Sequence, residues 1–132
     1  MVEDSPTDAY VIGEALSACP FSYELMVLTD GDAALTLLQR VEDEEGPPVP
    51  GLVLLDLNLP KVSGIAVLAA LRASRRCADA PVVVVTSSDS ASDMKAIFDL
   101  GVTAYFRKPH NLEAFMTLSK VIVEALHKQN PD

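Results

Sequence analysis

Apolar positions along the chain follow two spacings that alternate, and this pattern predicts alternating strands and helices. Short continuous apolar segments, typical of strands buried on both faces of a sheet, occur at residues 24–29, 52–57, 81–86 and, more weakly, 103–107. Between them, apolar residues recur at helical spacing at residues 7–18, 31–43, 63–75, 91–100 and 111–128. Such alternation favours right-handed crossovers, a parallel sheet and an α/β fold.

The pattern also requires a strand before the first helix, and there the sequence is short. Only Met1 and Val2 precede the acidic Glu3, whereas a strand usually has about five residues. Each buried backbone group left unpaired would cost about 1–3 kcal/mol. We consider three explanations: residues of the molecule are missing from the sequence, another chain fills the gap, or the fold tolerates a short strand. We favour the first.

Composition and charge mainly exclude certain classes of protein and of binding partner. The chain has 132 residues, 49% of them hydrophobic, and a formal net charge of −9, which fits one domain with a substantial core. So acidic a surface argues against nucleic acid and anionic membranes as partners. No apolar stretch approaches the roughly 18 residues of a membrane helix, and the N-terminus lacks the pattern of a secretory signal. We expect a cytoplasmic protein whose Cys19 and Cys77 are reduced thiols.

Polar groups follow the predicted strands. Asp56 lies at the end of the strand at 52–57, and Thr86 ends the next one; Glu3 and Asp4 follow the short first strand, and Lys108 follows the last. Because parallel strands end along one edge of a sheet, these residues should lie close together. Clustered carboxylates suit Mg²⁺, which prefers oxygen ligands. The metal, the hydroxyl and the ammonium together suit a phosphoryl group.

Each of these residues also has an ordinary structural interpretation. An aspartate after a strand is usually a turn or cap residue, and Thr86 could cap the following helix. Glu3 and Asp4 could be solvated terminal charges, and Lys108 could belong to any loop. The histidines, His110 and His127, are too far apart in the sequence to suggest a metal cluster. The chemical interpretation therefore rests on the predicted meeting of all the groups at one edge.

The motifs resemble the receiver domain of bacterial two-component response regulators. They occur in the family's order, and Asp56 is followed 30 residues later by Thr86 and 52 residues later by Lys108, the spacing expected of a receiver. The resemblance spans essentially the whole chain and is carried by Glu3-Asp4, DLNLPKVSG (residues 56–64), Thr86 and Lys108-Pro109. More specifically, MVEDSPTD and DLNLP are similar to the small single-domain regulators that partner phytochrome-type kinases.

The resemblance implies a flavodoxin-like, doubly wound fold. Five parallel strands would lie in the order 2-1-3-4-5 between five helices, with the first strand truncated in this sequence. The receiver domain would occupy residues 1–132, and the sequence shows no output domain.

The resemblance also implies roles for the site residues. Asp56 would accept a phosphoryl group from a sensor histidine kinase or a phosphotransfer protein. Mg²⁺ would be held by Glu3, Asp4, Asp56 and the backbone carbonyl of Asn58. Lys108, before a cis peptide bond to Pro109, would bind the phosphoryl group. Thr86 would move to donate a hydrogen bond to it while Tyr105 turns inward.

Three alternatives stay open at the level of sequence. A flavodoxin-type FMN carrier has the same architecture, but here two carboxylates stand where its phosphate loop would lie. An aspartyl phosphatase would need a proton donor where this chain has Asn58, which cannot transfer a proton usefully. A degenerate receiver would bind partners without phosphorylation, and intact Asp56, Thr86 and Lys108 argue against it.

The signal is expected to leave through protein–protein contacts. Helices 91–100 and 111–128, with the strand that carries Tyr105, form the predicted face for a homodimer or another partner. Leu118, Val121 and Ala125 are predicted to form an apolar strip outside the core-facing side of the last helix. The alternative is that this helix has one broad buried stripe.

Overall fold

The computed structural model describes residues 1–129, in which strands and helices alternate as the sequence predicts. A serine or acidic residue at the N-cap begins most helices: the side chains of Ser5, Asp30, Ser63 and Ser90 each accept a backbone N–H three residues on. The elements are α1 (Pro6–Ser17), α2 (Gly31–Val41), β1 (Val53–Leu55), α3 (Gly64–Ala73), β2 (Val82–Thr86), α4 (Ala91–Asp99), β3 (Ala104–Arg107), α5 (Leu112–Phe115) and α6 (Leu118–Gln129).

The sheet is parallel and has the predicted strand order. Strands β1, β2 and β3 lie side by side, with Leu54 opposite Val83 and Val84 opposite Tyr105. Beyond β1, Val2 forms isolated parallel bridges to Leu55 on one side and to Leu28 on the other. In chain order these positions give 2-1-3-4-5, in which the first two strands are reduced to single-residue bridges.

The strand predicted at residues 24–29 is therefore corrected to one paired residue. Leu28 donates its N–H to the Met1 carbonyl at 2.8 Å and accepts the Glu3 N–H at 2.9 Å. The Met1 ammonium donates to the Met26 carbonyl at 2.9 Å. Because Val2 pairs with this segment at Leu28 alone among residues 1–129, the ladder ends there and residues 22–27 have no regular structure.

An apolar groove opens beside this short pairing, at the amino ends of the strands. The amino-end groove has a volume of about 610 Å³ and is lined by residues that include Met1, Leu16, Leu38, Val41, Leu52 and Leu126. Beside it, Leu25, Met26 and Val27 are exposed although they are apolar. The core on either side of Val2 is thus open where a first strand of ordinary length would lie.

The core has one layer on each face of the sheet. On one face, Leu55 and Val84 pack with residues of α2, α3 and α4, and Cys77 is buried there. On the other face, Leu54 and Val83 pack with α1, α5 and α6, and Cys19 is buried there. Both thiols are free. No helix within residues 1–129 is long and apolar enough to span a membrane.

The helix predicted at 111–128 is divided, which corrects the expected apolar strip. The backbone forms tight i to i−3 hydrogen bonds at Thr117 and Ser119, and both hydroxyls donate to carbonyls three residues earlier, Thr117 at 2.6 Å and Ser119 at 3.0 Å. This turn changes the phase of the helical pattern. Leu118 and Ala125 are fully buried and Val121 is partly buried against the same core, so all three belong to a broad core-facing stripe and not to an outer strip.

Candidate functional site

The polar residues predicted to meet do lie at the carboxyl ends of the strands. Asp56 comes directly after the buried strand β1 and is itself buried, with 5% of its surface exposed. The bridge at Val2 places Glu3 beside it, since the Asp56 N–H donates to the Val2 carbonyl at 3.1 Å. The Lys108 N–H donates to the Thr86 carbonyl at 2.9 Å, which holds the end of β3 against the end of β2.

The Lys108 ammonium is the central positive charge of the site. Its Nζ donates to Asp56 Oδ2 at 2.9 Å and to Asp8 Oδ2 at 2.8 Å, and it lies 2.8 Å from Glu3 Oε1. Burial lowers the pKa of Lys108, but the neighbouring carboxylates of Asp56, Asp8 and Glu3 outweigh this effect and raise the pKa above its usual range. Lys108 is therefore charged at every physiological pH.

Three carboxylates next to this ammonium form a group suited to a divalent cation. Oxygens of Glu3, Asp4 and Asp56 all lie within 4.8 Å of one another. Glu3 Oε1 is buried and has no hydrogen-bond partner among the described residues, despite its ionic contact with Lys108. Burial, with a smaller effect of the Asp56 charge, raises the pKa of Glu3. An unsatisfied buried oxygen in a cluster of carboxylates fits a hard oxygen-preferring cation such as Mg²⁺.

The loop after β1 holds the Asp56 side chain in place. The Asn58 N–H donates to Asp56 Oδ1 at 3.3 Å, and the Gly64 N–H donates to the Leu57 carbonyl at 2.9 Å. A Cβ added at Gly64 would lie 2.0 Å from the Asp56 carbonyl oxygen, so only glycine allows this close approach. This contact explains why the motif ends in glycine. Metal binding by the Asn58 carbonyl stays a prediction.

Thr86 and Tyr105 lie on neighbouring strands and share one loop. Thr86 is fully buried, and its Oγ1 accepts the Ser88 N–H at 3.3 Å. The Tyr105 hydroxyl donates to the Ser88 carbonyl at 2.8 Å, and burial raises the pKa of Tyr105. Both side chains thus form a hydrogen bond with the backbone of Ser88, so a movement of Thr86 would change the hydrogen bonding of Tyr105. The movement itself stays a prediction.

The structure differs from the sequence-based site in two respects. No peptide bond between residues 1 and 129 is cis, so the expectation for the bond before Pro109 is wrong; the trans form is the intrinsically favoured one, by about 0.5–1 kcal/mol. The sequence reasoning also missed Asp8, whose carboxylate contacts Lys108. The spacing of Ser5 and Asp8, typical of a helix cap, indicated a helix start and gave no sign of this contact.

Comparison with known proteins agrees with this geometry. The profile of the response regulator receiver domain matches residues 1–120. The chain is 41% identical over 113 residues to the response regulator Rcp1 of Synechocystis sp., covering 86% of this chain and 77% of that protein. It is 39% identical over 113 residues to the probable methanogenesis regulatory protein FilR2 of Methanothrix harundinacea, covering 86% of this chain and 72% of that protein.

Solved structures show the same fold. The Mn²⁺-bound form of Rcp1 superposes with a TM-score of 0.81 at 39% identity, covering 92% of this chain and 87% of that one. The phosphorylated cyanobacterial phytochrome response regulator RcpA superposes with a TM-score of 0.83 at 35% identity, covering 93% and 88%. The flavodoxin-like fold and the family predicted from the motifs are therefore confirmed. The chain belongs to the response regulator receiver domain family.

Proposed function

We propose that Asp56 is the residue through which this receiver accepts a phosphoryl group. An Asp56 carboxylate oxygen attacks the phosphorus of a phosphohistidine, the new O–P bond forms as the P–N bond breaks, and the imidazole leaves with the electron pair. The observation that carries the proposal is the convergence on Asp56 of Lys108 at 2.9 Å and of two further carboxylates within metal-binding range. The relative RcpA, solved in a phosphorylated form, supports it.

Glu3, Asp4, Asp56 and the Asn58 carbonyl would hold the metal, which we take to be Mg²⁺. When bound, the ion supplies positive charge that offsets the carboxylates and the incoming phosphoryl group. The Mn²⁺-bound form of the relative Rcp1 supports a divalent site in this fold. The chain's own contribution is the arrangement of oxygens, of which Glu3 Oε1 is buried and lacks a hydrogen bond.

Lys108, Thr86 and Tyr105 would bind and report the phosphoryl group. Lys108 keeps its positive charge in the buried site and can pass the hydrogen bond it donates to Asp56 on to a phosphoryl oxygen. Thr86 lies at the end of the adjacent strand and would donate its hydroxyl hydrogen. Because Tyr105 and Thr86 both bond to Ser88, the change would reach the surface around β3. The domain promotes this transfer and its slow reversal on itself, as a signalling module.

The partner that delivers the phosphoryl group is proposed to be a histidine kinase or a phosphotransfer protein in the cytoplasm. The signal would pass on through protein–protein contact, as a homodimer or with another protein. The proposed face is formed by α4, β3 and the α5–α6 segment. Phe98 of α4 is 63% exposed and Leu112 of α5 is 61% exposed, so these side chains, and not Leu118, are the apolar contacts available there.

Phosphorylation with a small donor tests the proposal. With Mg²⁺ and acetyl phosphate, the wild-type protein should gain one acid-labile phosphoryl group. Asp56→Asn should gain none, because the amide is not a nucleophile, while Asp32→Asn, which replaces an exposed aspartate of α2, should label normally. A receiver that acts by binding alone would show no labelling of the wild type, and equal labelling of Asp56→Asn would move the acceptor to another residue.

A further inference from the structure

Asp8 lies at a helix position that usually helps to cap the helix, but here Glu3 makes that capping contact. Ser5 caps α1 and accepts the Asp8 N–H at 3.2 Å. An acidic residue three positions after the cap commonly reaches back to the N–H of the capping residue. Here the Ser5 N–H donates instead to Glu3 Oε2 at 3.1 Å. The Asp8 carboxylate is thereby free to turn towards the site and meets Lys108 at 2.8 Å.

Lys108 has three N–H donors, and three carboxylates lie within 2.9 Å of its nitrogen. Asp56 and Asp8 each accept a hydrogen bond from it, and Glu3 Oε1 lies 2.8 Å away in an ionic contact. Asp8 is the most accessible of the three acids, with 34% of its side chain exposed. It approaches the ammonium from α1, outside the group of oxygens that lie within 4.8 Å of one another.

The other two carboxylates change during the proposed reaction. Glu3 would turn its unsatisfied oxygen to the metal, and Asp56 would become an acyl phosphate whose former carboxylate charge is lost. Asp8 alone keeps both its negative charge and its hydrogen bond to the ammonium throughout. A flexible lysine side chain with four rotatable carbons needs such an anchor to stay in one place.

We infer that Asp8 is a positioning residue, which holds the Lys108 ammonium at the distance from Asp56 that phosphoryl transfer requires. The inference rests on the proposed function of the site. Asp8 acts through Lys108 and neither binds the metal nor touches the phosphoryl group. Its effect should therefore appear in the rate of the chemical step and vanish when Lys108 is absent.

The test is the phosphorylation rate of Asp8 variants with acetyl phosphate at saturating Mg²⁺. Asp8→Ala should lower the maximal rate by about tenfold, less than the roughly hundredfold loss that a 1 Å misplacement of a reacting group can cause, with the half-saturating donor concentration little changed. Asp8→Asn should recover part of the rate, because the amide oxygen still accepts a hydrogen bond. Asp32→Ala, which removes an exposed first-turn carboxylate from α2, controls for loss of the helix-terminal charge and should leave the rate unchanged.

A double-variant cycle and a metal titration complete the test. In a Lys108→Ala background, Asp8→Ala should cause no further loss of rate; a full additional tenfold loss would overturn the inference. An unchanged rate in Asp8→Ala would also overturn it, as would a rise in the Mg²⁺ requirement as large as that of Asp4→Asn, which would make Asp8 a metal ligand.

Loss of labelling at Asp56 in the wild type would instead refute the proposed function. Thermal melts confirm that each variant folds, and Asp8→Asn carries the test if Asp8→Ala does not.

Discussion

The two ends of the same sheet differ sharply in how completely they are built. At the carboxyl ends of the strands, each buried charge lies beside an opposite one, and Lys108 contacts three carboxylates within 2.9 Å. At the amino ends, the first strand is represented by Val2 alone, and an apolar groove of about 610 Å³ lies beside it. Asp56, Thr86 and Lys108 lie at the ends of β1, β2 and β3, and the bridge at Val2 places Glu3 beside them, so the site needs only one paired residue of the first strand and its geometry is kept beside an open groove.

The largest effect is expected from removing Lys108, the central positive charge at the carboxyl ends of the strands. Lys108→Ala leaves Glu3 and Asp56 buried without an opposite charge, so the free energy of unfolding should fall by about 3–5 kcal/mol in metal-free buffer. Urea unfolding measures it. Lys61→Ala, which breaks an exposed pair with Asp30 at 3.6 Å, should cost less than about 1 kcal/mol. An equal loss of unfolding free energy in the two variants would show that Lys108 and its carboxylates are no more strongly paired than a surface salt bridge.

The next effect concerns the loop that supports Asp56. Gly64→Ala forces a methyl group against the Asp56 carbonyl, 2.0 Å away, and should lower the free energy of unfolding by about 1–3 kcal/mol together with the phosphorylation rate. Gly13→Ala is the matched control, because it lies within α1 and its added methyl meets nothing within 4 Å. That control should stabilise the protein by about 0.5–1 kcal/mol. A harmless Gly64→Ala would contradict the close approach.

Filling the amino-end groove should stabilise the protein without altering the site. Four apolar, β-branched residues added ahead of Met1 should pair with residues 24–27 and raise the free energy of unfolding by about 1–2 kcal/mol through burial of apolar surface. Four added glycine and serine residues should have no such effect. The phosphorylation rate should be the same in both proteins. A stabilisation by both extensions, or by neither, would mean that the groove does not accept a strand.

The elements and the site were predictable to different degrees, for physical reasons. Continuous apolar segments such as residues 81–86 predict a buried strand. The proximity of Asp56, Thr86 and Lys108 follows from the parallel topology of the sheet alone. The prediction of a strand at 24–29 is wrong because a strand needs a paired neighbour, and here Val2 pairs with this segment at a single residue. The division of the last helix depends on hydroxyls of Thr117 and Ser119 bonding to the preceding turn, which apolar spacing does not encode.

The contact of Asp8 with Lys108 shows the same limit at the site. Asp8 lies in the first turn of α1, where an acidic residue is expected for reasons of capping alone. Whether its carboxylate bonds to the helix or to the site depends on which group takes the Ser5 N–H. That is decided by Glu3, through a fold-dependent contact of 3.1 Å.

The central claim, that Asp56 is the acceptor, is tested most directly by mapping the phosphorylated residue. Borohydride reduces an acyl phosphate to an alcohol and so marks the modified aspartate as homoserine, which peptide mass spectrometry locates. After reaction with acetyl phosphate and Mg²⁺, followed by borohydride, the structure predicts homoserine at position 56 and at no other aspartate. A reduced residue at Asp4 or Asp8, or unmodified Asp56 in protein that carries an acid-labile phosphoryl group, would contradict the assignment.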